Sequence, residues 1–142
     1  ELGCEDRIIF AGYRYDAKEL LHGADAFIFP SRREGLGLAA IEAMAVGLPL
    51  IVSDNRGTKE YAVNAENAIV CEYNNISQFI NAVQLLSSDT ELCRKLGENG
   101  YRTAEKYSLE NALDCMADIY RSYIDIPADS KTEVLSGEDK KV

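Results

Sequence analysis

The chain has 142 residues, of which 46% are hydrophobic and 27% charged, and its formal net charge is −9. This length supports one domain with a sizeable core. The acidic balance argues against a nucleic-acid-binding surface, which would call for a stripe of basic residues. No apolar run approaches the roughly 18 residues of a membrane helix, and no charged-then-apolar leader is visible, so we expect a soluble chain without a signal peptide.

The first residues lack an initiator Met and open in the middle of a pattern, so we expect a fragment of a longer protein. The four cysteines form no C-x-x-C pair, and no histidine lies at metal-ligand spacing from any of them. We therefore expect buried or half-buried free thiols in a reducing cytosol, and no disulfide framework or metal site. These cysteines are Cys4, Cys71, Cys93 and Cys115.

Short apolar runs alternate with helical patterns over the first half of the chain. The runs predicted to be buried strands are Ile8–Ala11, Ala26–Phe29, Leu50–Val52 and Ala68–Cys71. The segments of helical character between them are Asp16–Gly23, Leu38–Val46 and Thr58–Val63, with Gly23 and Gly47 as C-terminal stops. This alternation predicts an α/β fold with a parallel sheet covered on both faces by helices.

The later third of the chain is predicted to be helical. Ile76–Leu86 carries an apolar stripe at helical spacing, and Asp89 is placed to cap the next helix. Ser108 opens a last helix that runs to Tyr123, and Pro127 ends its pattern. The polar stretch that follows predicts a disordered tail, so the expected organisation is one domain over 1–126 and a tail over 127–142.

A glycine turn separates the second predicted strand from the helix that follows it. Gly35, Leu36, Gly37 and Leu38 form this turn. In open α/β sheets ligands bind at such a place, where free backbone N–H groups and the helix dipole favour phosphate. Because glycine lets a ligand approach the backbone closely, these four residues are candidates for binding a diphosphate. An ordinary tight strand-to-helix turn is the alternative interpretation.

Two carboxylates flank this turn, with seven residues between them. Glu34 precedes the helix and Glu42 lies one turn inside it, so both are expected at the same mouth. The spacing allows the two carboxylates to contact different parts of one ligand, one of them its distal part and the other a part that lies nearer. The alternatives are a capping carboxylate for Glu34 and a surface residue that complements the helix dipole for Glu42.

The segment E-G-L-G-L-A-A-I-E-A-M-A-V-G-L-P-L-I-V-S-D resembles the E-x7-E region of retaining glycosyltransferases with the GT-B fold, family 4, glycosyl transferases group 1. The flanking stretches 7–14, 24–31 and 66–70 fit as well, and the resemblance runs from about residue 5 to residue 123. It implies a Rossmann-like, three-layer α/β/α domain with a parallel sheet. This domain would be the nucleotide-sugar-binding, C-terminal half of a GT-B protein, incomplete at its N-terminal end.

The resemblance also implies roles for single residues. Glu34 would face and orient the donor sugar as the catalytic residue, while Glu42 would bind the ribose hydroxyls. Arg14 follows the first predicted strand and would lie beside the base of the nucleotide, although a structural surface arginine is an equal alternative. The turn at Gly35–Leu38 would hold the diphosphate. No metal or other cofactor is implied, because the nucleotide sugar is itself a substrate.

The implied reaction transfers a hexosyl unit from a UDP-, GDP- or ADP-sugar to a polysaccharide, a glycolipid or a small acceptor. Relatives bind the acceptor through an N-terminal domain and clamp the diphosphate with an Arg and a Lys upstream of this segment, so we expect no transfer by this chain alone. The expected location is the cytoplasm, with a peripheral position at the inner face of the membrane as a further option. A nucleotide-sugar epimerase-like enzyme, which should carry a histidine-bearing motif, and a non-catalytic nucleotide-sugar-binding module are the alternatives.

Overall fold

The computed structural model describes residues 3–124 of the chain. They fold into three strands, β1 (Phe27–Phe29), β2 (Leu50–Ser53) and β3 (Ile69–Cys71), and five α-helices. The helices are α1 (Ala17–His22), α2 (Leu38–Ala45), α3 (Ile76–Ser88), α4 (Thr90–Ala104) and α5 (Leu109–Ile124). The chain divides into two compact units, Glu1–Lys106 and Tyr107–Val142.

The first unit is built on a parallel sheet in the order β1-β2-β3. Ile28 pairs with Ile51, and Val52 pairs with Val70. All four residues of β2 are fully buried, so both faces of the central strand are covered, as is typical of parallel sheets with helices on the faces. The predicted Rossmann-like α/β class is confirmed.

The core lies between the sheet and the two long helices of this unit. Ile51 and Cys71 point to one face of the sheet and pack against Ala82 and Leu86 of α3 and Leu96 of α4. Burial of each large aliphatic side chain contributes roughly 1.5–3 kcal/mol. Helix α2 packs against β1, β2 and α4, so the sheet and α4 together fix its direction.

Helix α2 ends where α4 approaches it most closely. Gly47 follows the end of α2 with a φ of 79°, the left-handed conformation that favours glycine. A Cβ atom at Gly97 of α4 would lie only 2.2 Å from the carbonyl oxygen of Gly47. The two segments therefore meet backbone to backbone, which requires a glycine in α4.

Two elements differ from the sequence prediction. Residues 8–11 form no strand, and Ile9 and Phe10 are 89% and 93% exposed. A strand is held by ladder bonds to a neighbour, and this segment pairs with none of the three described strands. The predicted helix over Thr58–Val63 is only a 3-10 turn over Thr58–Glu60, because the Val63 amide donates to the Asn67 side chain and not to a carbonyl of a continuing helix.

The caps of the later helices agree with their predicted starts. The side chain of Asp89 accepts a hydrogen bond from the Leu92 amide at 2.8 Å, and the Ser108 hydroxyl accepts one from the Asn111 amide at 3.2 Å. The observed bounds of α1, α2, α3 and α5 lie within two residues of the predicted ones, and α4 begins directly after its predicted cap, Asp89. Pro127 and the predicted tail over 127–142 lie outside the described residues.

Helix α5 belongs to the second unit and buries none of its residues. Leu109 and Tyr123 of its apolar stripe are 75% and 85% exposed. Cys115 is exposed as well, so the expectation of buried or half-buried thiols is wrong for this residue. Cys71 is buried, and Cys4 and Cys93 are half-buried. Within residues 3–124 no helix is both long and apolar enough to cross a membrane.

Candidate functional site

The predicted glycine turn lies between the carboxyl end of β1 and the first residue of α2. Gly37 precedes the helix with φ 82° and ψ 57°, a left-handed conformation. A Cβ atom there would lie 2.9 Å from Cε1 of Phe29 and 3.1 Å from the hydroxyl oxygen of Tyr61. Both the backbone angle and the lack of space therefore require glycine at this position.

The backbone amides of this turn have no acceptor among residues 3–124. Going along the chain from Gly35, the first backbone amide that donates a hydrogen bond is that of Ala40, which donates to the Gly37 carbonyl oxygen at 3.0 Å. No side chain caps α2, because its N-cap residue is a glycine. The amides of residues 35–39 thus remain as donors at the positive end of the helix dipole, which suits an anionic ligand.

Glu34 stands at the entrance to this turn and is half-buried. Its carboxylate accepts a hydrogen bond from the hydroxyl of Ser31, three residues earlier. Its backbone lies against Gly57, where a Cβ atom would come within 2.9 Å of both the Cβ and the carbonyl oxygen of Glu34. The carboxylate is therefore held at the turn and not free on the surface.

The loop after β2 supports the loop that carries Glu34. The side-chain amide of Asn55 donates to the Ser31 carbonyl oxygen at 3.0 Å, and its oxygen accepts the amides of Gly57 and Thr58 at 2.9 Å and 3.1 Å. Sequence reasoning missed Asn55 and Gly57. The D-N-R-G-T stretch after a strand is typical of an Asx turn, but the contact with Ser31 joins residues 24 positions apart.

Glu42 lies on the solvent side of α2. Its neighbours Ile41, Ala43 and Met44 are buried, which fixes the rotation of the helix. Glu42 itself is exposed. Glu42 thus lies on the same short helix whose first turn carries the open amides. It is four residues after Leu38, the first residue of α2, which is about 6 Å along the helix axis at a rise of about 1.5 Å per residue.

Arg14 is engaged within its own loop. Its Nε donates to the Asp16 carboxylate at 2.7 Å, and this pair lowers the pKa of the Asp16 carboxyl group and raises the pKa of Arg14. The Tyr13 and Tyr15 rings meet edge to face beside it at 5.0 Å between centroids. The hydrogen bonds of the described residues do not join Arg14 to the glycine turn, so its contact with a nucleotide base stays a prediction.

Cationic side chains also stand at this edge of the sheet despite the acidic net charge. The guanidinium carbon of Arg32 lies 5.8 Å from the centroid of the Tyr73 ring, which follows β3. Lys59 pairs with Asp54 at 2.9 Å in the loop after β2. The carboxyl ends of all three strands thus contribute to one polar edge, where ligands bind in open parallel sheets.

Comparisons with known proteins place this site in a family. The model of the family described as Glycosyl transferases group 1 matches residues 1–103. The chain is 36% identical to the EpsD protein of Bacillus subtilis (strain 168) over 132 residues, which is 93% of this chain and 35% of that protein. It is 31% identical over 126 residues to an Escherichia coli UDP-Gal:alpha-D-GlcNAc-diphosphoundecaprenol alpha-1,3-galactosyltransferase, covering 84% of this chain and 31% of that enzyme.

Among solved structures, a sucrose-phosphate synthase from Thermosynechococcus elongatus superposes with a TM-score of 0.77 at 29% identity, over 84% of this chain and 31% of that one. The chain therefore spans about a third of the length of the proteins that it matches. The fold is that of the GT-B half expected from the resemblance. With the family model matched over most of its length, the chain belongs to the Glycosyl transferases group 1 family.

Proposed function

We propose that this chain is the donor-binding part of a retaining glycosyltransferase, with residues 1–126 as its nucleotide-sugar-binding domain. It binds a UDP-, GDP- or ADP-sugar, and the whole protein moves the hexosyl unit to a polysaccharide, a glycolipid or a small acceptor. The observation that carries the proposal is the set of open amides at residues 35–39, flanked by Glu34 and Glu42. A diphosphate needs such donors, and no metal is required to supply them.

The two carboxylates have different surroundings, which supports different roles. Glu34 is half-buried and hydrogen-bonded, so it is the residue that we propose to face and orient the donor sugar. Glu42 is exposed and available to accept the two ribose hydroxyls. In the proposed reaction the amides stabilise the nucleoside diphosphate as it leaves, and this electrostatic effect is a large contribution to such catalysis.

The name of one similar protein fits a nucleotide-sugar donor. The Escherichia coli relative is named for a UDP-galactose donor and a diphosphoundecaprenol-linked acceptor. This name supports a nucleotide-sugar donor for this chain, with a lipid-linked sugar as one of the acceptors that the whole protein would use.

The test is an equilibrium titration of the 142-residue chain with UDP, GDP, ADP and inorganic pyrophosphate. A site of backbone amides and one carboxylate, open to solvent, predicts a dissociation constant of about 1 mM, or about −4 kcal/mol. Glu42→Ala should weaken binding of the preferred nucleotide at least about fivefold, because each net hydrogen bond to a ribose hydroxyl contributes about 1 kcal/mol. Pyrophosphate, which has no ribose, should bind the variant as it binds the unmodified chain.

Glu66→Ala serves as the matched control, because Glu66 is also an exposed glutamate of the first unit but precedes β3, at the amino end of the parallel sheet. It should leave all four affinities unchanged. Equal losses for nucleotide and pyrophosphate in Glu42→Ala would contradict the ribose role. No binding of any nucleotide by the unmodified chain would contradict the proposed function itself.

A further inference from the structure

The loop after β2 holds the backbone beneath Glu34 from a distant part of the chain. Asn55 is 8% exposed and uses both ends of its side-chain amide. Its nitrogen donates to the Ser31 carbonyl oxygen at 3.0 Å, while its oxygen accepts the amides of Gly57 and Thr58. A buried amide with its donor and acceptor both satisfied is fixed in orientation.

The same loop also limits the position of Glu34 by close packing. A Cβ atom at Gly57 would come within 2.9 Å of the Glu34 carbonyl oxygen, so the two backbones are in contact. The Asn55 side chain holds the Gly57 amide in place at 2.9 Å. The Asn55 side chain is therefore linked to this loop at two points, directly at Ser31 and through Gly57 at Glu34 itself.

A third contact links this support to the carboxylate. The hydroxyl of Ser31 donates to Oε1 of Glu34, while the carbonyl of Ser31 accepts from Asn55. The hydrogen bond from Asn55 thus fixes the backbone of Ser31, and the hydroxyl of Ser31 in turn fixes the position of the Glu34 carboxylate. Thr58 anchors the loop to the end of β2, because its hydroxyl donates to the Ser53 carbonyl oxygen at 2.7 Å.

We infer that Asn55 is a positioning residue for the donor sugar, acting through Ser31 and Gly57 on the Glu34 carboxylate. This inference rests on the proposed function, because it assigns to Asn55 an effect on the sugar and not on the nucleotide. The open amides of residues 35–39 belong to the chain after Glu34, and α2 is fixed by its own buried face. Loss of the Asn55 donor should therefore affect the sugar-orienting carboxylate and leave the nucleotide in place.

The variant that isolates this contact is Asn55→Asp. It keeps an oxygen to accept the Gly57 and Thr58 amides, so the turn within the loop is preserved. It removes the nitrogen that donates to the Ser31 carbonyl and sets a carboxylate oxygen opposite that carbonyl, which is unfavourable. Gly57→Ala is a second variant, which displaces Glu34 by steric contact. Asn99→Asp is the matched control, since it makes the same substitution at an amide of α4 that donates to the Glu66 carbonyl oxygen at 2.8 Å, outside this loop.

The measurement is the ratio of the dissociation constants of a nucleotide sugar and its nucleoside diphosphate, using UDP-glucose with UDP, GDP-mannose with GDP, and ADP-glucose with ADP. For the pair that the unmodified chain binds best, Asn55→Asp should weaken the nucleotide sugar about fivefold, the equivalent of one net hydrogen bond, and leave the diphosphate unchanged. Gly57→Ala, which also presses on the peptide group between Glu34 and Gly35, should weaken the nucleotide sugar at least as much. Asn99→Asp should change neither constant. In a Glu34→Ala background, Asn55→Asp should have no further effect on the ratio, because it acts through Glu34.

If Asn55→Asp leaves the ratio of the two dissociation constants unchanged, because neither ligand or both ligands equally lose affinity, the inference about Asn55 is overturned. Binding of the nucleotide by the unmodified chain would in that case still support the proposed function. The inference would also be overturned if Asn55→Asp changed this ratio by the same factor in the Glu34→Ala background as in the unmodified chain. If the unmodified chain binds none of the three pairs, the proposed function fails, and the inference fails with it.

Discussion

Gly37 meets two separate requirements at the start of α2, and each one excludes other residues. Its φ of 82° is costly for a residue with a Cβ atom, and that atom would lie 2.9 Å from Cε1 of Phe29. Gly35 is only two positions away, but a Cβ atom there would meet nothing within 4 Å. The turn therefore contains one glycine required by the fold and one that leaves space above the open amides.

We predict that Gly37→Ala lowers the free energy of unfolding by about 1–3 kcal/mol, because backbone strain and steric overlap both oppose it. Gly35→Ala, the matched control, should change stability by less than about 0.5 kcal/mol. Urea denaturation of the two variants measures the difference. Equal destabilisation by both substitutions would show that the turn has a different conformation in solution.

The thiols of Cys71 and Cys115 should differ in reactivity. Cys71 is buried at the end of β3, and burial raises the pKa of its thiol, whereas Cys115 is exposed on α5. At pH 8 a thiol-reactive reagent should modify Cys115 quickly and Cys71 only as fast as the core opens. Mass spectrometry of the labelled peptides over time tests this, and early labelling of Cys71 would contradict the buried position of β3.

The raised pKa of Cys71 also fixes the sign of a pH effect. The native state holds this proton more tightly than the unfolded chain does, so the thiol's contribution to stability is complete below the unfolded pKa of about 8.5. It is lost as the pH rises through the folded pKa. As the pH rises above about 8.5, the urea midpoint of the unmodified chain should therefore decrease by more than that of Cys71→Ala. An increase in the midpoint over this pH range would have the wrong sign.

At the scale of elements, the contact between α2 and α4 is the most restrictive in the first unit. Gly97 faces the backbone of Gly47, and a Cβ atom there would lie 2.2 Å from the Gly47 carbonyl oxygen. Backbone atoms cannot move aside as the end of a flexible side chain can. Gly100, one turn further along the same helix, has the Met44 side chain as its nearest neighbour at 3.4 Å, an ordinary contact distance.

We predict that Gly97→Ala destabilises the chain by about 3 kcal/mol or more, because α4 must move away from the end of α2. Gly100→Ala should be neutral or stabilising by about 0.5–1 kcal/mol, since alanine favours the helix interior. Thermal unfolding of the two variants compares the same substitution within one helix. A tolerated Gly97→Ala would mean that α2 and α4 are further apart than the structure has them.

Across the whole molecule, the sequence predicted best those features that depend on neighbouring residues. The apolar run of β2 and the caps at Asp89 and Ser108 are local signals, and the structure has them at the expected positions. Residues 8–11 have the same apolar character as β2, but no described strand pairs with them. Strand propensity alone therefore does not establish a strand, since the ladder needs a partner.

The candidate site also contains some features that could be predicted from neighbouring residues and others that could not. The glycine turn and the spacing of Glu34 and Glu42 could be predicted from sequence, because they lie within one continuous segment. The support of Glu34 by Asn55 and Gly57 could not, because it joins the loops after two different strands. Such a contact depends on the order of strands in the sheet, which the apolar pattern of single strands does not specify.

A chemical-shift titration of the isotope-labelled chain tests whether a nucleoside diphosphate binds at the start of α2. Titration with UDP or GDP should move the backbone amide signals of residues 31–42, with the largest changes at Gly35–Leu38, where the amides have no acceptor among the described residues. Shifts confined to residues outside 12–14 and 31–42 would contradict the account, because the nucleotide would then bind elsewhere on the chain.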